Sequence, residues 1–251
     1  MISAIAGIVV ALPTEGRSLI APAPRLGECV RLDDHSLVCV CGTGVKRARH
    51  AVSVLVERGA RGLVSWGCAG GLAPGLRAGD LCLPSTVLDA RGEAFDAPAA
   101  WRSRAHEALA SDFTVRTEPL LTVDRLVASA EDKSTLARTH GAIAVDMETA
   151  AVAAGARERR LPFLAIRAIA DPSELPLPQA LVRATGEGGT VGLARLFGLA
   201  LLHPAEFAGI VRIARCFRAA LRTLSAAAPR MGPGFLLDAG ESGARDVKDR
   251  A

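Results

Sequence analysis

The sequence lacks tyrosine altogether, and aromatic residues make up only 4% of its 251 positions. Half of the residues are nevertheless hydrophobic, so a sizeable core is available. Because aromatic side chains are scarce, we expect Ala, Leu, Val and Ile to form that core, with small-residue helices packed closely on a sheet. The length fits one large α/β domain, or at most two small ones.

The sequence also lacks a strong net charge and a long uncharged apolar run. A charge of +4, scattered over many arginines, is too weak and dispersed to indicate nucleic-acid binding. No stretch reaches the roughly 20 uncharged apolar residues of a membrane span. The apolar segment 2–12 has neither the basic flank nor the cleavage site of a signal peptide. We therefore expect a cytoplasmic protein.

Cysteine pairs of the CxxC type are missing, and no Cys/His cluster has a zinc-site spacing. We therefore expect neither a disulfide framework nor a metal, and we interpret the cysteines as buried thiols in a reducing compartment. The six cysteines are Cys29, Cys39, Cys41, Cys68, Cys82 and Cys216.

Short apolar runs alternate with helical segments, which predicts a mostly parallel (mixed) sheet in a three-layer αβα arrangement. Asp146 is the predicted N-cap of one helix. Strands are predicted at 4–11, 28–32, 37–41, 62–66, 80–88, 143–145 and 162–170, and helices at 14–20, 46–58, 99–110, 132–140 and 147–160.

After residue 172 the alternation of strands and helices ends. Residues 173–189 are loop-like, and helices are predicted at 192–202 and 204–224. From Ala228 onward Pro, Gly and charge dominate, which is typical of disorder. We predict one domain over residues 1–227, with a helical part at 190–226, and a disordered tail at 228–251.

Four features follow predicted strands, where open α/β sheets bind their ligands. They are Glu15, the glycine-rich segment 67–71, Met147-Glu148 and Asp171. Each alone has an ordinary explanation: a carboxylate at a helix start, a turn residue or close packing. The glycine segment fits neither the dinucleotide-binding nor the P-loop pattern.

In combination these segments resemble a known family. The sequences ALPTE (11–15), WGCAGGL (66–72) with GDL (79–81), VDMETAA (145–151) and RAIAD (167–171) resemble, in order, motifs of methylthioadenosine/S-adenosylhomocysteine nucleosidases. That family belongs to the nucleoside phosphorylase/nucleosidase superfamily, and the resemblance covers roughly residues 4–172. Pro13, the Ser65-Trp66-Gly67 segment, Asp171-Pro172 and the basic helical C-terminus are most similar to hopanoid-associated phosphorylases.

The resemblance implies cleavage of the N-glycosidic bond of an adenine nucleoside. For the hopanoid-associated subgroup, the substrate would be adenosylhopane and the products adenine and a ribosylated hopanoid. Two alternatives stay open: a methylthioadenosine/S-adenosylhomocysteine nucleosidase, and a non-catalytic nucleoside-binding protein. The joint presence of Glu15, Glu148 and Asp171 argues against the second, since binding alone does not need carboxylates on both sides of the bond.

The chemistry needs a proton for the leaving base and stabilisation of a cationic ribose. The resemblance implies that Asp171 is the general acid, because a protonated carboxyl can donate to N7 and then accept from the 6-amino group. Burial would supply the raised pKa. It further implies that Glu148 accepts from the ribose hydroxyls, that Met147 packs on the sugar, and that the base lies against the backbone of Leu126 and Val127.

The resemblance implies that Glu15 activates water and that Cys68, Ala69 and Gly70 lie near the ribose or the acceptor. A carboxylate repels a phosphate dianion unless cations such as Arg17, Arg47 and Arg49 compensate. We therefore expect hydrolysis without a cofactor, with inorganic phosphate left open as a co-substrate. Two positions depart from the family pattern: Cys68 and Ala170 stand where the family has serine.

The remaining expectations concern partners. The C-terminal helices carry Arg212, Arg215 and Arg218 between apolar residues. They either cover the sheet or also receive a lipid tail and contact anionic headgroups, with the protein then peripheral to the inner membrane. The superfamily resemblance implies a homodimer.

Overall fold

In the computed structural model, residues 4–179, 182, 206–238 and 240 are described. The strands are β1 (Ile5–Val10), β2 (Cys29–Asp33), β3 (Ser36–Val40), β4 (Ala60–Gly71), β5 (Leu81–Cys82), β6 (Thr86–Leu88), β7 (Ala94–Asp96), β8 (Val115–Arg116), β9 (Leu120–Thr122), β10 (Ala144–Asp146) and β11 (Phe163–Asp171). The helices are α1 (Pro13–Gly16), α2 (Val45–Glu57), α3 (Ala99–Ala110), α4 (Ala130–His140), α5 (Thr149–Glu158) and α6 (Phe207–Ala227), followed by 3₁₀ turns at Ala228–Met231 and Pro233–Leu236.

The strands form one mixed sheet in the order β2-β3-β1-β4-β10-β9-β6-β7. Three strands lie off this path. Strand β11 pairs with β4 and with β5, and β5 pairs with β8. The central pairs β1–β3, β1–β4 and β4–β11 are parallel, whereas β2–β3 and β4–β10 are antiparallel. The predicted α/β architecture, a mixed sheet with flanking helices, is confirmed.

The central strands are buried because they carry nearly unbroken apolar runs, as parallel strands covered on both faces do. Helices α2 and α5 pack on each other and on the sheet, and α6 covers β11 and β4. The α2–α5 contact is close: a Cβ on Gly155 would lie 2.9 Å from Val52 Cγ1. The small buried residues of α5 permit that approach.

Several local predictions are wrong in detail. The glycine-rich segment 67–71 is not a turn but the second half of β4, where it pairs with β11 and β10. The predicted strand 80–88 is two strands, β5 and β6, with Pro84 between them. Strands β7, β8 and β9 were not predicted, since runs of two or three residues have no readable periodicity.

Helix α5 begins at Thr149, two positions later than predicted. Asp146 is the last residue of β10 and not the N-cap, although its carboxylate does accept from the Thr149 amide at 3.2 Å. The reason is that Asp146 is also bonded to Arg167, which keeps it in the strand. Met147 and Glu148 therefore form the connection between β10 and α5.

The expectation of thiols throughout is wrong for one pair. Cys29 and Cys39 lie opposite each other in β2 and β3 and are joined by a disulfide. Cys41, Cys68, Cys82 and Cys216 are free, and of these Cys41 and Cys82 are buried as expected.

The expectation of a disordered tail from Ala228 is wrong for residues 228–238. Met231 and Phe235 are buried, and the indole of Trp101 in α3 donates to the Phe235 carbonyl at 2.7 Å. The apolar residues among the Pro and Gly of this segment dock it on the domain. The predicted helix 192–202, most of the predicted loop 173–189 and the rest of the tail lie outside the described residues.

No helix within the described ranges is both long and apolar enough to cross a membrane.

Candidate active site

A cavity of about 260 Å³ opens beside the carboxyl ends of β1, β10 and β11 and beside residues 68–70 of β4. This is the edge at which open α/β sheets bind ligands. All of the residues expected to carry out catalysis or to contact the ribose, the base or the acceptor line it: Glu15, Cys68, Ala69, Gly70, Leu126, Val127, Met147, Glu148 and Asp171. The structure therefore brings together groups from five separate segments of the chain.

Glu15 lies in α1, directly behind the end of β1, and is buried. Its Oε2 accepts from the Ala11 and Leu12 amides at 3.2 and 2.9 Å, and its Oε1 accepts from the Cys68 amide at 2.8 Å. Burial raises the pKa of this carboxyl, while the charge of Arg167 and the three amides oppose the rise. Glu15 is thus fixed in orientation and can take up a proton near neutral pH more readily than an exposed glutamate.

Gly67 permits the approach of Glu15 to Arg167. A Cβ at this position would overlap the Arg167 guanidinium and would lie 2.6 Å from Glu15 Oε1. Any side chain on Gly67 would therefore force the Arg167 guanidinium or the Glu15 carboxyl to shift. This close approach, and not a phosphate-binding turn, explains the first glycine of the segment.

Glu148 lies in the β10–α5 connection and is also buried. The Gly44 amide donates to its Oε1 at 2.8 Å, across 104 positions of sequence. Burial first, and then the negative charge of Asp146, raises the pKa of Glu148 to about 8, against the opposing charge of Arg167. Near neutral pH this carboxyl is consequently poised between its two protonation states.

A buried ion pair lies behind the two glutamates. Arg167 Nη2 is 2.7 Å from Asp146 Oδ2, and the guanidinium also donates to Ser65 Oγ at 2.7 Å and to Thr149 Oγ1 at 2.8 Å. Arg167 is the positive charge that opposes the raised pKa of both Glu15 and Glu148. From the sequence, Arg167 was named only as part of the RAIAD motif. Its functional importance could have been recognised because it is an arginine in an otherwise apolar buried strand.

Asp171 is the last residue of β11, and a register shift in the pairing with β4 places it opposite Gly70. A Cβ on Gly70 would lie 3.2 Å from both carboxylate oxygens, so the glycine leaves room for the carboxyl. Oδ2 is 2.6 Å from Lys133 Nζ. Burial raises the pKa of Asp171, and Lys133 opposes that rise.

Lys133 is a residue that the sequence analysis missed. It lies in α4, whose N-cap is Ser129 and whose C-cap is Gly141. Lys133 is fully buried although charged. The available signal was helical spacing: Lys133 falls on the same face as Leu136 and Ala137, which pack on a buried cluster. A charge on the apolar face of a helix requires a partner.

The outer wall of the cavity is apolar. Leu126, Val127 and Leu177 come from loops, and α6 contributes Ile213, Ala214 and Phe217. Helix α6 therefore borders the site as well as covering the sheet, with Arg212, Arg215 and Arg218 exposed on its other side.

The arginines considered as phosphate partners lie elsewhere. Arg17, Arg47 and Arg49 do not line the described cavity, and Arg49 pairs with Glu158 at 3.6 Å. Among the described cavity residues Arg125 is the one cation, and it is 63% exposed and 3.6 Å from Asp132. The described residues contain no group of three or more His, Cys, Asp or Glu able to hold a metal ion.

A mixed α/β sheet with a carboxylate-lined cavity at its carboxyl edge is an architecture for binding small molecules. The family model described as "Phosphorylase superfamily" matches residues 28–196. The chain therefore belongs to the phosphorylase superfamily. No curated protein sequence is significantly similar to it.

Solved structures share the fold. The 5'-methylthioadenosine/S-adenosylhomocysteine nucleosidase from Neisseria meningitidis, in complex with methylthio-immucillin-A, is 19% identical with a TM-score of 0.66, covering 92% of this chain and 98% of that one. The S-adenosylhomocysteine nucleosidase from Streptococcus pyogenes is 18% identical with a TM-score of 0.65, covering 90% and 97%. Futalosine hydrolase of Helicobacter pylori is 15% identical with a TM-score of 0.65, also covering 90% and 97%.

Proposed function

We propose that the protein cleaves the N-glycosidic bond of an adenine nucleoside by hydrolysis. The observation that carries this proposal is the convergence of Glu15, Glu148 and Asp171 on one cavity, with burial raising the pKa of each. Two buried carboxyl groups and a third that is only 16% exposed are costly to the fold, and such groups cluster at catalytic sites. Membership of the phosphorylase superfamily supports the reaction class.

Asp171 donates a proton to N7 of the base as the bond between C1′ and N9 breaks and its electron pair moves onto the base. The raised pKa of Asp171 supports this role, because more of the carboxyl is protonated near neutral pH. Once deprotonated, the carboxylate can accept from a 6-amino group. This pairing favours adenine over 6-oxopurines.

Glu148 and Met147 hold the ribose. Glu148 faces the cavity and retains acceptor capacity beyond its bond from Gly44, so it can accept from sugar hydroxyls. Met147 lies beside it and offers an apolar surface to the sugar ring. Leu126 and Val127, on the opposite wall, are the proposed base contacts.

Glu15 takes a proton from the water that attacks C1′, with Cys68, Ala69 and Gly70 bordering that place. Hydrolysis is favoured over phosphorolysis because the cavity carries carboxylates, while the buried cations Arg167 and Lys133 are already paired with Asp146 and Asp171. A phosphate dianion would meet repulsion that Arg17, Arg47 and Arg49 do not offset from their positions.

The particular substrate that we propose is adenosylhopane, with adenine and a ribosylated hopanoid as products. The apolar wall formed by Ile213, Ala214 and Phe217 of α6 supports a large apolar 5′ substituent. A peripheral contact of α6 with the inner membrane and a homodimer complete this proposal. Methylthioadenosine or S-adenosylhomocysteine is the alternative substrate, since each is an adenine nucleoside with a substituent in place of the 5′ hydroxyl.

The test is an adenine-release assay with purified protein. Adenosylhopane, methylthioadenosine and S-adenosylhomocysteine are each incubated with and without inorganic phosphate, and the sugar product is identified by mass spectrometry. A free reducing sugar formed without phosphate is the expected result, with the fastest turnover for adenosylhopane. A sugar 1-phosphate would show phosphorolysis, and no adenine from any nucleoside would contradict the proposed reaction.

A further inference from the structure

Lys133 is a charged residue in the interior of the protein, close to the cavity carboxyl of Asp171. Its ammonium group is buried completely, in a helix whose other charged residues are all at least partly exposed. A buried ammonium is costly unless every N–H finds an acceptor. The acceptors of the Lys133 ammonium therefore indicate the role of its charge.

All three N–H bonds of Lys133 point to one short segment. Nζ lies 2.6 Å from Asp171 Oδ2, 3.0 Å from the Pro172 carbonyl and 3.1 Å from the Leu175 carbonyl. The Asp171 carbonyl is a further 3.4 Å contact. The Pro172 and Leu175 carbonyls thus hold the Lys133 ammonium in place, and the ammonium in turn holds Oδ2 of Asp171.

The geometry divides the Asp171 carboxyl into two parts. Oδ2 is engaged by Lys133, whereas Oδ1 takes no part in that ion pair. Asp171 lines the cavity, and Gly70 leaves room beside both oxygens, so Oδ1 is the oxygen left to meet a ligand there. Ala170, the preceding residue, has no polar side-chain atom to orient the carboxyl. Lys133 supplies that orientation from α4.

We infer that Lys133 is a positioning residue for Asp171: it holds Oδ2, leaves Oδ1 to carry the proton to the departing base, and stabilises the carboxylate that forms. This inference rests on the proposed function. The proton on Oδ1 moves to N7, the electron pair of the broken bond stays on the base, and the resulting Asp171 carboxylate is left beside the Lys133 ammonium. No further reactant enters this step.

A merely structural role is the competing explanation, because Lys133 also ties the segment 172–175 to α4. The two explanations differ in their effect on acid strength. Lys133 opposes the effect of burial on the pKa of Asp171, so its removal raises that pKa further. Other titratable groups that interact with Asp171 are Cys68 of β4 and Cys216 of α6, and Glu174 interacts with Lys133. None of these groups is altered in the test.

The test compares Lys133→Met, which removes the charge at similar length, with Lys133→Arg, which keeps it. The pH dependence of kcat for adenine release is measured for each. In Lys133→Met we expect kcat to fall by about 10-fold or more, because the acid is weaker. The alkaline fall in rate should move to higher pH, while Lys133→Arg keeps it near the wild-type position. Arg138→Met, which removes an exposed positive charge from the same helix, should change neither quantity.

A second measurement needs no substrate. The carboxyl resonance of Asp171 in protein labelled with ¹³C-aspartate, identified by its loss in Asp171→Asn, should titrate at higher pH in Lys133→Met than in the wild type. If circular dichroism shows that Lys133→Met does not fold, both measurements are made on Lys133→Gln instead, which keeps an N–H donor but not the charge.

The outcomes separate the two proposals. If the alkaline fall in rate and the titration of the Asp171 resonance both move to higher pH, the result supports the role of Lys133. If the wild type releases adenine but neither quantity moves, the role of Lys133 is overturned and the proposed function stands. If the wild type releases no adenine from any nucleoside tested, the proposed function is overturned and the positioning role of Lys133 with it.

Discussion

The guanidinium of Arg167 and the carboxylate of Asp146 form an ion pair at 2.7 Å with both side chains only 2% exposed. This pair joins β11 to β10 beneath the cavity floor, and Glu15 and Glu148 are both influenced by its positive member. Its position makes the stability of the fold and the ionisation of the site depend on the same side chain.

Replacement of Arg167 by Met should therefore destabilise the protein strongly. Asp146, Glu15 and Glu148 would remain buried without their cation, and breaking a buried pair from one side typically costs about 3–5 kcal/mol. Urea unfolding followed by circular dichroism measures the loss. Glu158→Gln, which breaks the exposed pair with Arg49, is the control and should cost less than about 1 kcal/mol. Equal effects of the two changes would contradict the structural importance of the buried pair.

Asp171→Asn should keep the fold and nearly abolish adenine release. An amide cannot deliver the proton that the base requires, and loss of a general acid costs about 10²-fold or more in rate. Steady-state kinetics with the preferred nucleoside provides the measurement. Asp34→Asn makes the same chemical change at an exposed position and should leave kcat unaltered. Near-normal turnover of Asp171→Asn would remove Asp171 from the mechanism.

Glu15→Gln should stop hydrolysis while leaving adenine binding largely intact. The amide cannot accept a proton from water, but it has the same size, and its one oxygen can still accept either from the Ala11 and Leu12 amides or from the Cys68 amide. Isothermal titration with adenine and the adenine-release assay separate binding from turnover, with Glu107→Gln as an exposed control. Activity that persists and depends on added phosphate would refute the hydrolytic role of Glu15.

The affinity for the nucleoside should increase as the pH rises through about 8, the pKa of Glu148. The ionised carboxylate is the better acceptor for sugar hydroxyls, and below this pH an increasing fraction of Glu148 is protonated. Equilibrium binding of an uncleavable adenine nucleoside analogue between pH 6 and about 9 measures the effect. In Glu148→Gln the pH dependence over this range should disappear, so its persistence there would assign it to another group.

Helix α6 should bind anionic lipid if the substrate carries a lipid tail. Changing Arg212, Arg215 and Arg218 to Glu should reduce sedimentation with anionic liposomes but leave turnover of a soluble adenosine analogue unaffected, because these side chains are exposed. Changing Arg31, Arg61 and Arg91 to Glu alters the net charge equally at exposed positions elsewhere. No liposome binding by the wild type would leave α6 as structural cover and cavity wall.

The sequence predicted those parts of the fold that carry long apolar or helical patterns. Strand β1, helix α2 and strand β11 have such patterns, and their predicted bounds lie within two residues of those observed. The short strands β7 to β9 were missed, because two or three residues pair through backbone contacts that leave no periodic signal. The glycine-rich part of β4 was taken for a turn because glycine alone does not distinguish a turn from close packing.

The candidate site was predicted as a set of carboxylates but without the cations that control them. Glu15, Glu148 and Asp171 follow strands and fall in recognisable motifs. Lys133 is 38 positions from Asp171 and lies in a mostly polar helix, so only the fold shows that the two side chains meet. Pairing of distant charged residues depends on tertiary packing, which a single sequence does not reveal.

The burial of Phe235 gives the protein an internal optical probe. Trp66 and Trp101 are the two tryptophans of a chain without tyrosine. The ring of Phe235 meets Trp66 edge-on at 5.5 Å between centroids, and its carbonyl accepts from Trp101. Trp66 also donates to Ser18, near Glu15. Tryptophan emission therefore reports on the packing of the C-terminal 3₁₀ turns against the domain, and a red shift would register their release.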